Sequence, residues 1–414
     1  TQYVRSRAEK MPPKTLIDSP FVFFRDGLAA TIIEANLRNF PSMYLSRAGA
    51  ADNRRVPKSS GGVRLEVRHS PLPGNNDGVS KHDRSLTTPW RVLLLANHPG
   101  KLLESDVICN LNQPSKGDSS WVKPGKTTWN WWNGWTEDGL GFKTGLNFET
   151  QKYYIDFCKQ HGIEFHAVVA DSRPWYVQSV RGYAPGPDSD VLTPRPELEL
   201  PRVLAYAKKQ GVGIRLWVHW KALIGRLDEA FALYESWGVN GLMVDFFNRD
   251  DQQMVRICER ILQSAMKHRL TIQFHGVYKP TGLQRTYPAL MNKEAVLNLE
   301  NLKWSTRCTP GHNVNVAYTR NLAGPMDYHL GGFRNVTKDN FRIRDKAPLV
   351  IGTRCHHLAM YVIYENPLPM VSDFPSAYEG ENGFSFISQV PTVWNETRFL
   401  AGEVGEWIAV ARRN

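Results

Sequence analysis

The stretch between residues 127 and 275 most constrains the fold, because short apolar runs alternate there with amphipathic segments. Five runs have the composition of strands, namely TTWNWWNGW, FHAVVADSR, GIRLWVHW, GLMVDFFN and LTIQFHG. The four segments between them have helical spacing, and two of them end in Gly after a basic last turn. Strands that are apolar on both faces belong to a parallel sheet covered by helices. The pattern therefore predicts an α/β fold.

Two α/β architectures fit this alternation, an open doubly wound sheet and a (β/α)8 TIM barrel. No Gly-rich phosphate-binding fingerprint follows the first strand. Polar side chains instead end nearly every strand, at Asn130, Asp171, His219, Asp245 and His275. Since the carboxyl ends of all barrel strands face one site, we favour a barrel over residues 121–380. AVLNLEN is then the sixth strand, VAYTRNLAG part of the seventh unit, KAPLVIGTRCHHLAMYVIYENP a long helix and LPMVSD the eighth strand.

The two ends of the chain have β character. Residues 1–120 predict a partial N-terminal β-sandwich, with FVFFRDGLAATIIEANL forming two strands around a turn at Asp26-Gly27. GVRLEVRH alternates apolar and charged residues, as a half-buried strand does. Residues 381–414 predict the start of a C-terminal β domain. Because Thr1 and Asn414 both fall within predicted β domains, we expect a chain truncated at both ends.

Composition excludes several classes of protein. The 414 residues are 42% hydrophobic and 22% charged, and no apolar run approaches the about 18 residues of a membrane span. The five cysteines show no CxxC spacing, which argues against a zinc site or a disulfide framework. The net charge of +11 leaves nucleic-acid binding as an alternative, but Lys and Arg are spread along the chain, so we predict no nucleic-acid partner. The oligomeric state stays open.

Two carboxylates carry the strongest chemical signal. Asp245 lies among apolar neighbours, and burying an ionised carboxylate costs several kcal/mol unless it is paired or bound. The alternative to a functional role is that Asp245 is a capping or salt-bridged Asp at the end of a strand. Glu300 closes AVLNLEN, six residues after Glu294, for which an ordinary surface Glu is the alternative. Two carboxylates facing one cavity suit glycoside hydrolysis, where one attacks or activates water and the other protonates the leaving oxygen.

A long loop, FHGVYKPTGLQRTYPAL, follows the fifth strand and is rich in hydrogen-bond donors. Loops of this kind usually carry function because a rigid scaffold positions them. We expect seven side chains to bind the substrate, namely Trp129, Asn130, Asp171, His219, His275, Lys279 and Arg285. The last five would bind sugar hydroxyl groups, and a structural role is the alternative for each of those five. Of the three neighbouring tryptophans 129, 131 and 132, some must face the core.

Several long motifs resemble those of glycoside hydrolase family 97. They are IIEANLRNFPSMYL, SSWVKPGKTTWNWWN, VDFFNRDDQQMV, FHGVYKPTGLQRTYPAL, NKEAVLNLENLKW and TRNLAGPMDY, in the family's order. The resemblance implies an N-terminal β-sandwich, a (β/α)8 barrel and a C-terminal β domain. It further implies action on α-glycosides, a bound calcium ion, and a periplasmic or secreted location. The family has an inverting and a retaining branch.

The resemblance also implies roles for single residues. Asp245 matches the nucleophile of the retaining branch, and Glu300 matches the proton donor. Gly276 stands where the inverting branch has a catalytic Glu. We therefore expect a retaining, exo-acting α-glycoside hydrolase, with an α-galactosidase ahead of an α-glucosidase. An inactive carbohydrate-binding remnant is the alternative from another class, and an oligosaccharide or α-glycoside is the expected ligand.

The calcium ligands implied by the resemblance are Glu34, Glu294 and Glu300. Three carboxylates do not fill the about six to eight oxygen positions of calcium, so other oxygens would complete the shell. A cation bound to Glu300 would also favour its ionised form, whereas a proton donor must hold its proton.

The chain departs from the family pattern at a few positions. Ala289 and Ala295 stand where the family has Asn and Gly, and His329-Leu330 replaces Thr-Pro. The ADSRPWY segment differs from the usual exit of strand two. Because the catalytic carboxylates are retained, activity is expected, while the preference among sugars is less constrained.

Overall fold

The computed structural model describes residues 3, 5–49, 63–74, 78–83, 85–135, 137–169, 174–179 and 184–414. Six strands precede residue 97 and form two three-stranded antiparallel sheets, in the orders β1-β4-β5 and β2-β3-β6. The predicted turn at Asp26-Gly27 joins β2 to β3 and is confirmed. The strands are β1 (Leu16–Asp18), β2 (Phe21–Arg25), β3 (Leu28–Ala35), β4 (Met43–Arg47), β5 (Leu65–His69) and β6 (Trp90–Ala96).

Thirteen further strands follow within the described residues. They are β7 (Thr127–Thr128), β8 (Phe165–Val168), β9 (Tyr176–Val177), β10 (Asp190–Pro194), β11 (Gly213–His219), β12 (Gly241–Asp245), β13 (Thr271–Phe274), β14 (Leu290–Lys293), β15 (Asn335–Val336), β16 (Val350–Ile351), β17 (Met370–Val371), β18 (Glu396–Glu403) and β19 (Trp407–Arg413).

Seven of these strands form one parallel sheet in the order β14-β13-β12-β11-β8-β7-β17. The order follows the chain, and the last strand pairs with the first, as Met370 and Val371 lie beside Thr127 and Thr128. A doubly wound sheet reverses its order at a switch point, so that alternative is wrong. The sheet is arranged as in a TIM-like domain, and strands one to five and eight stand where the sequence predicts them.

Ten helices lie in the described part of the chain, and local sequence sets their ends. Asn147 caps α3 by accepting the backbone N–H of Thr150, and Gly162 ends it in the left-handed region. Asp251 likewise caps α7, whose apolar face packs on the sheet. The helices are α1 (Val107–Asn110), α2 (Asn130–Asn133), α3 (Phe148–His161), α4 (Leu200–Gln210), α5 (Trp220–Leu223), α6 (Leu227–Ser236), α7 (Gln252–Lys267), α8 (Pro310–Tyr318), α9 (Arg354–Ile363) and α10 (Phe384–Gln389).

The predicted sixth strand is wrong. Strand six is β14, which pairs with β13, whereas AVLNLEN leaves the sheet. Ala295 takes a φ of +42°, a left-handed conformation that a strand cannot continue. Asn298 then accepts the backbone N–H of Glu300 and starts a 3-10 helix, Leu299–Lys303.

The predicted long helix is also shorter than expected. Val350–Ile351 forms β16 beside β15, so the helix cannot begin there. Gly352 has a φ of +114°, and Thr353 caps α9 by accepting the N–H of His356. The C-terminal region begins with α10 and then forms an antiparallel hairpin of β18 and β19. The two proposed boundaries between the three domains stay predictions.

Candidate active site

Carboxylates and imidazoles collect at the carboxyl ends of β12, β13 and β14. Asp245 is the last residue of β12, His275 follows β13, and Glu294 follows β14. Glu300 joins them from the 3-10 helix that begins five residues after Glu294. Because the three strands are neighbours in a parallel sheet, their ends lie on one edge, as at the active end of TIM-like domains.

Asp245 is 7% exposed and is held by two donors. The indole Nε1–H of Trp217, on the neighbouring β11, donates to Oδ2 at 3.0 Å, and the backbone N–H of Phe246 donates to Oδ1. Burial raises the pKa of Asp245, while the charge of His275 and these two hydrogen bonds oppose that rise. Both oxygens of the carboxylate are therefore fixed in direction.

Gly276 leaves room for Asp245. A Cβ at this position would lie 3.1 Å from Oδ1 of Asp245 and 3.2 Å from the backbone of Phe246. The φ of Gly276 is +55°, a conformation that other residues adopt at a cost. A Glu here, as in the inverting branch, would press against Asp245 and strain the backbone.

His275 lies at the centre of the cluster. Its Nδ1 is 2.7 Å from Oδ2 of Asp327, and its Nε2 is 3.5 Å from Oε1 of Glu294 and 3.4 Å from Oε2 of Glu300. Burial lowers the pKa of His275, but the charges of Glu294, Asp245, Glu300 and Asp327 together outweigh it and raise the pKa well above 6.5. The imidazole is therefore a buried cation at neutral pH.

Glu294 and Glu300 act as a coupled pair around His275. Burial raises the pKa of Glu294 well above its usual range, and repulsion from Glu300 and Asp327 adds to this. Burial would also raise the pKa of Glu300, but the charge of His275 outweighs it and brings the pKa to about 2. The pKa values of the two carboxyl groups are thus pushed apart, upward for Glu294 and downward for Glu300. Glu294 also accepts 2.7 Å hydrogen bonds from the N–H of Gly276 and the amide of Asn298.

Three residues of this cluster were missed from the sequence, namely Trp217, Asp327 and His329. His329 is 1% exposed, stacks on His275 at 5.6 Å with an interplanar angle of 12°, and has Nδ1 4.0 Å from Oε2 of Glu300. Neither ring nitrogen of His329 has a hydrogen-bond partner among the described residues, and burial lowers the pKa of His329 to about 4. Asp327 was visible within TRNLAGPMDY, but no strand period marked it as facing the site.

The other predicted binding residues divide into two groups. His219 stacks on Phe246 at 5.3 Å, next to Asp245, and Trp129 lies 6.0 Å from His329. Asn130 is fully buried, and neither polar atom of its side chain has a hydrogen-bond partner in the part of the chain that the structure describes. All three remain candidates for the pocket wall. Asp171 lies outside the described residues.

Lys279 and Arg285 contact the N-terminal region. The ammonium group of Lys279 donates to Asp18 at 2.8 Å, to the hydroxyl of Ser42 at 2.7 Å and to the carbonyl of Met43 at 2.9 Å. Arg285 donates to the side chain of Asn110. These bonds hold the loop after β13 against β1, β4 and α1, and substrate contact by either residue stays a prediction.

The donor set suits a cation in part. Buried carboxylates outnumber the charged imidazole, and Oδ1 of Asp327 has no hydrogen-bond partner within the described residues. Among the described residues, two groups of three side chains could each hold an ion, because the ligand atoms within each group lie within 4.8 Å of one another. One group is His275, Glu294 and Glu300, and the other is His275, Asp327 and His329. Glu34 belongs to neither group. It is fully buried, pairs with Arg91, and accepts the N–H of Met43 at 3.3 Å.

A cavity of about 1860 Å³ adjoins the cluster. Gly276, Glu294 and Asn301 lie on its wall, opposite residues 15–25 of the N-terminal region. Asp245 and Glu300 do not line it, so the cavity borders the carboxylates without enclosing them.

Two family models match the chain. The model described as Glycoside hydrolase 97 matches residues 129–296, and the model described as Glycosyl-hydrolase 97 N-terminal matches residues 1–114. The chain is also 35% identical over 432 residues to a protein named retaining alpha-galactosidase of Bacteroides thetaiotaomicron, covering 99% of the chain and 62% of that protein. It is 31% identical to a probable retaining alpha-galactosidase of Streptomyces bingchenggensis, covering 80% of the chain and 48% of that protein.

Solved structures that resemble this chain match it over most of its length. A family 97 enzyme from Pseudoalteromonas sp. strain K8, in complex with acarbose, has a TM-score of 0.83 at 29% identity and covers 96% of this chain. The chain covers 61% of that enzyme. A beta-arabinopyranosidase has the same fold, with a TM-score of 0.68 at 24% identity, over 93% of this chain and 59% of that one. The chain thus spans less than two thirds of the length of each of these relatives.

No helix among the described residues has the length and apolar character needed to cross a membrane.

Proposed function

Because the chain belongs to glycoside hydrolase family 97, we propose that it is a retaining, exo-acting α-glycoside hydrolase with α-galactosides as substrates. The names of the two curated relatives support galactose as the sugar. The single observation that carries the retaining mechanism is the contact between Gly276 and Asp245. Gly276 leaves space for the carboxylate on β12, whereas a side chain at position 276 would crowd Oδ1 of Asp245 and the backbone of Phe246.

We assign the nucleophile to Asp245. Its two oxygens are held by Trp217 and Phe246, and both donors favour the ionised form that attacks the anomeric carbon. The bond from the anomeric carbon to the leaving oxygen breaks as the carboxylate bond forms. Water then releases the sugar from the covalent intermediate, and two inversions give net retention.

We assign the acid and base to Glu300. It must carry a proton when the leaving oxygen departs and accept one from water in the second step. The imidazolium of His275 lies 3.5 Å from Glu294 and 3.4 Å from Glu300, so its charge stabilises the carboxylate that Glu300 becomes after it has donated its proton.

Calcium is part of the proposal. Glu294 and Glu300 would hold the ion, since hard carboxylate oxygens suit calcium. When bound, calcium would supply positive charge that favours the ionised form of Glu294. Glu34 would join them only after leaving Arg91, so we place it second to the other two.

We further propose that the parallel sheet closes into a barrel through residues 325–330. On one side, Lys293 pairs with Met326 in a parallel bridge, and the N–H of Asp327 donates to the carbonyl of Lys293 at 3.0 Å. On the other side, the N–H of Ser372 donates to the carbonyl of Leu330 at 3.0 Å. The segment thus lies between β14 and the residue that follows β17.

The test is hydrolysis of p-nitrophenyl α-galactoside, α-glucoside and their β-anomers, with the first product anomer read by proton NMR. We expect the α-galactoside to be preferred and the α-anomer of galactose to appear first. A first product in the β-configuration would show inversion and remove Asp245 from the nucleophile role. Absence of turnover on every glycoside, in protein with a cooperative thermal transition, would favour a carbohydrate-binding remnant.

A further inference from the structure

Trp304 is a large aromatic side chain that stays 51% exposed beside the candidate active site. It is the residue that ends the 3-10 helix Leu299–Lys303, and Glu300 lies on the same helix. With a rise of about 2 Å per residue in a 3-10 helix, the four residue steps from Glu300 to Trp304 correspond to roughly 8 Å along the backbone. That length is comparable to one pyranose ring with its linking oxygen.

The ring of Trp304 is held in place. Its indole N–H donates to Oδ1 of Asn301 at 3.2 Å, and the ring packs edge-on against Trp131 at 6.3 Å. The buried ammonium group of Lys303 lies 4.3 Å from the ring centre of Trp131 and donates to its carbonyl at 3.0 Å. An aromatic surface that is already ordered loses little conformational entropy when a ligand binds to it.

A chain of contacts leads from this surface to the reacting groups. The rings of Trp131 and His329 are 5.9 Å apart, and Nδ1 of His329 is 4.0 Å from Oε2 of Glu300. Trp131 is also less buried than its neighbours Trp129 and Trp132, which are 4% and 0% exposed. Trp131 is therefore separated from Glu300, the proposed proton donor, by the single buried ring of His329.

We propose that Trp304 and Trp131 form the binding platform for the leaving-group sugar, a pyranose attached to the cleaved oxygen. The inference rests on the proposed function, since it is Glu300 as proton donor that places the leaving group on this side. The apolar face of a pyranose stacks on an indole ring, as other ring faces do. The platform would make the protein select saccharide leaving groups over small ones.

The test compares two substrates that share the galactosyl group. One is α-galactosyl-(1→6)-glucose, whose leaving group is a sugar, and the other is α-galactosyl fluoride, whose leaving group is too small to reach Trp304. For Trp304→Leu we expect kcat/KM for the disaccharide to fall roughly tenfold, which corresponds to about 1.4 kcal/mol of lost transition-state binding. The value for the fluoride should stay within about twofold of the unsubstituted protein.

Two further variants separate binding from folding. Trp304→Tyr keeps an aromatic face and should retain most of the disaccharide activity. Trp407→Leu removes a tryptophan of the same 51% exposure on β19, far along the chain from Glu300, and should leave the ratio of the two substrates unchanged.

The outcomes are distinct. The platform is overturned if Trp304→Leu lowers kcat/KM equally for both substrates or for neither. It is also overturned if Trp407→Leu lowers kcat/KM for the disaccharide alone. The proposed hydrolysis stands in each of these cases. If the unsubstituted protein fails to cleave α-galactosyl fluoride, the proposed function falls, and the platform falls with it.

Discussion

The indole Nε1–H of Trp217 donates a 3.0 Å hydrogen bond to Oδ2 of Asp245, across the neighbouring strands β11 and β12. Trp217 is 3% exposed and Asp245 is 7% exposed, so the bond is shielded from water. A hydrogen bond to a charged group in such surroundings is stronger than one at the surface. Trp217 thus orients the carboxylate and partly offsets the effect of burial, which disfavours its ionised form.

Substituting Asp245→Ala should remove almost all turnover, by on the order of 10⁴-fold, because no covalent intermediate can form. Added azide should then attack the opened face and give the β-galactosyl azide from an α-galactoside. Mass spectrometry and proton NMR of the product would check this. Azide that restores no turnover, or that gives the α-azide, would contradict the assignment.

Substituting Glu300→Ala should affect poor leaving groups most, since a good leaving group needs little protonation. We expect kcat/KM for an alkyl α-galactoside to fall by roughly 10³-fold and that for α-galactosyl fluoride by much less. The slope of log(kcat/KM) against leaving-group pKa gives the measurement. An unchanged slope would show that Glu300 is not the proton donor.

Removing bound metal should lower activity if Glu294 and Glu300 hold a catalytic calcium ion. The protein would be treated with a strong chelator, its metal content measured by mass spectrometry, and calcium or magnesium then added back. We expect recovery with calcium and less with magnesium, which demands closer octahedral geometry. Full activity in protein shown to be metal-free would reject the catalytic role of the ion.

Substituting Ala295→Gly should stabilise the protein by about 1 kcal/mol, because Ala295 holds a left-handed φ of +42° that costs an alanine roughly 1–2 kcal/mol. This is also where the family pattern has Gly. Ala207→Gly, within α4, is the matched control and should destabilise by at least about 0.5–1 kcal/mol. Denaturant unfolding of both variants gives the comparison, and a loss of stability in Ala295→Gly would show that the strain is relieved in another way.

Stability should fall as the pH falls from about 6.5 towards 3, in part because of His166. Burial lowers the pKa of His166 from 6.5 to about 3, and the neutral ring bonds Thr128 at 2.7 Å and Gln151 at 2.8 Å. In this window the unfolded chain binds a proton that the folded chain does not, so stability drops by up to about 1.4 kcal/mol per pH unit.

Thermal unfolding between pH 7 and 4.5 would measure this decline. The His166→Gln variant should be less stable than the unsubstituted protein at pH 7, but its stability should fall less between pH 7 and 4.5. His161→Gln, at a partly exposed position at the end of α3, should change the decline less. Equal declines in the unsubstituted protein and His166→Gln would rule out the contribution of His166.

The sequence alone determined the α/β class, the order of strands one to five and eight, and Asp245 as a strand-end carboxylate. These features follow from local periodicity, because a buried parallel strand must be apolar on both faces and an isolated charge at its end stands out. The resemblance to family 97 came from long motifs, and the matching family models confirm it.

Only the tertiary structure decided which groups meet at the site. His329 and Asp327 lie 54 and 52 residues after His275 and contact it through ring stacking and a 2.7 Å bond, which no local pattern encodes. Strand six ends at Lys293, before the predicted segment AVLNLEN, because the left-handed backbone of Ala295 turns the chain out of the sheet. The apolar residues of that segment do not reveal this turn. The side-chain partners of Lys279 and Arg285, Asp18 on β1 and Asn110 on α1, could not be predicted either, since a long side chain reaches whichever partner folding brings near it.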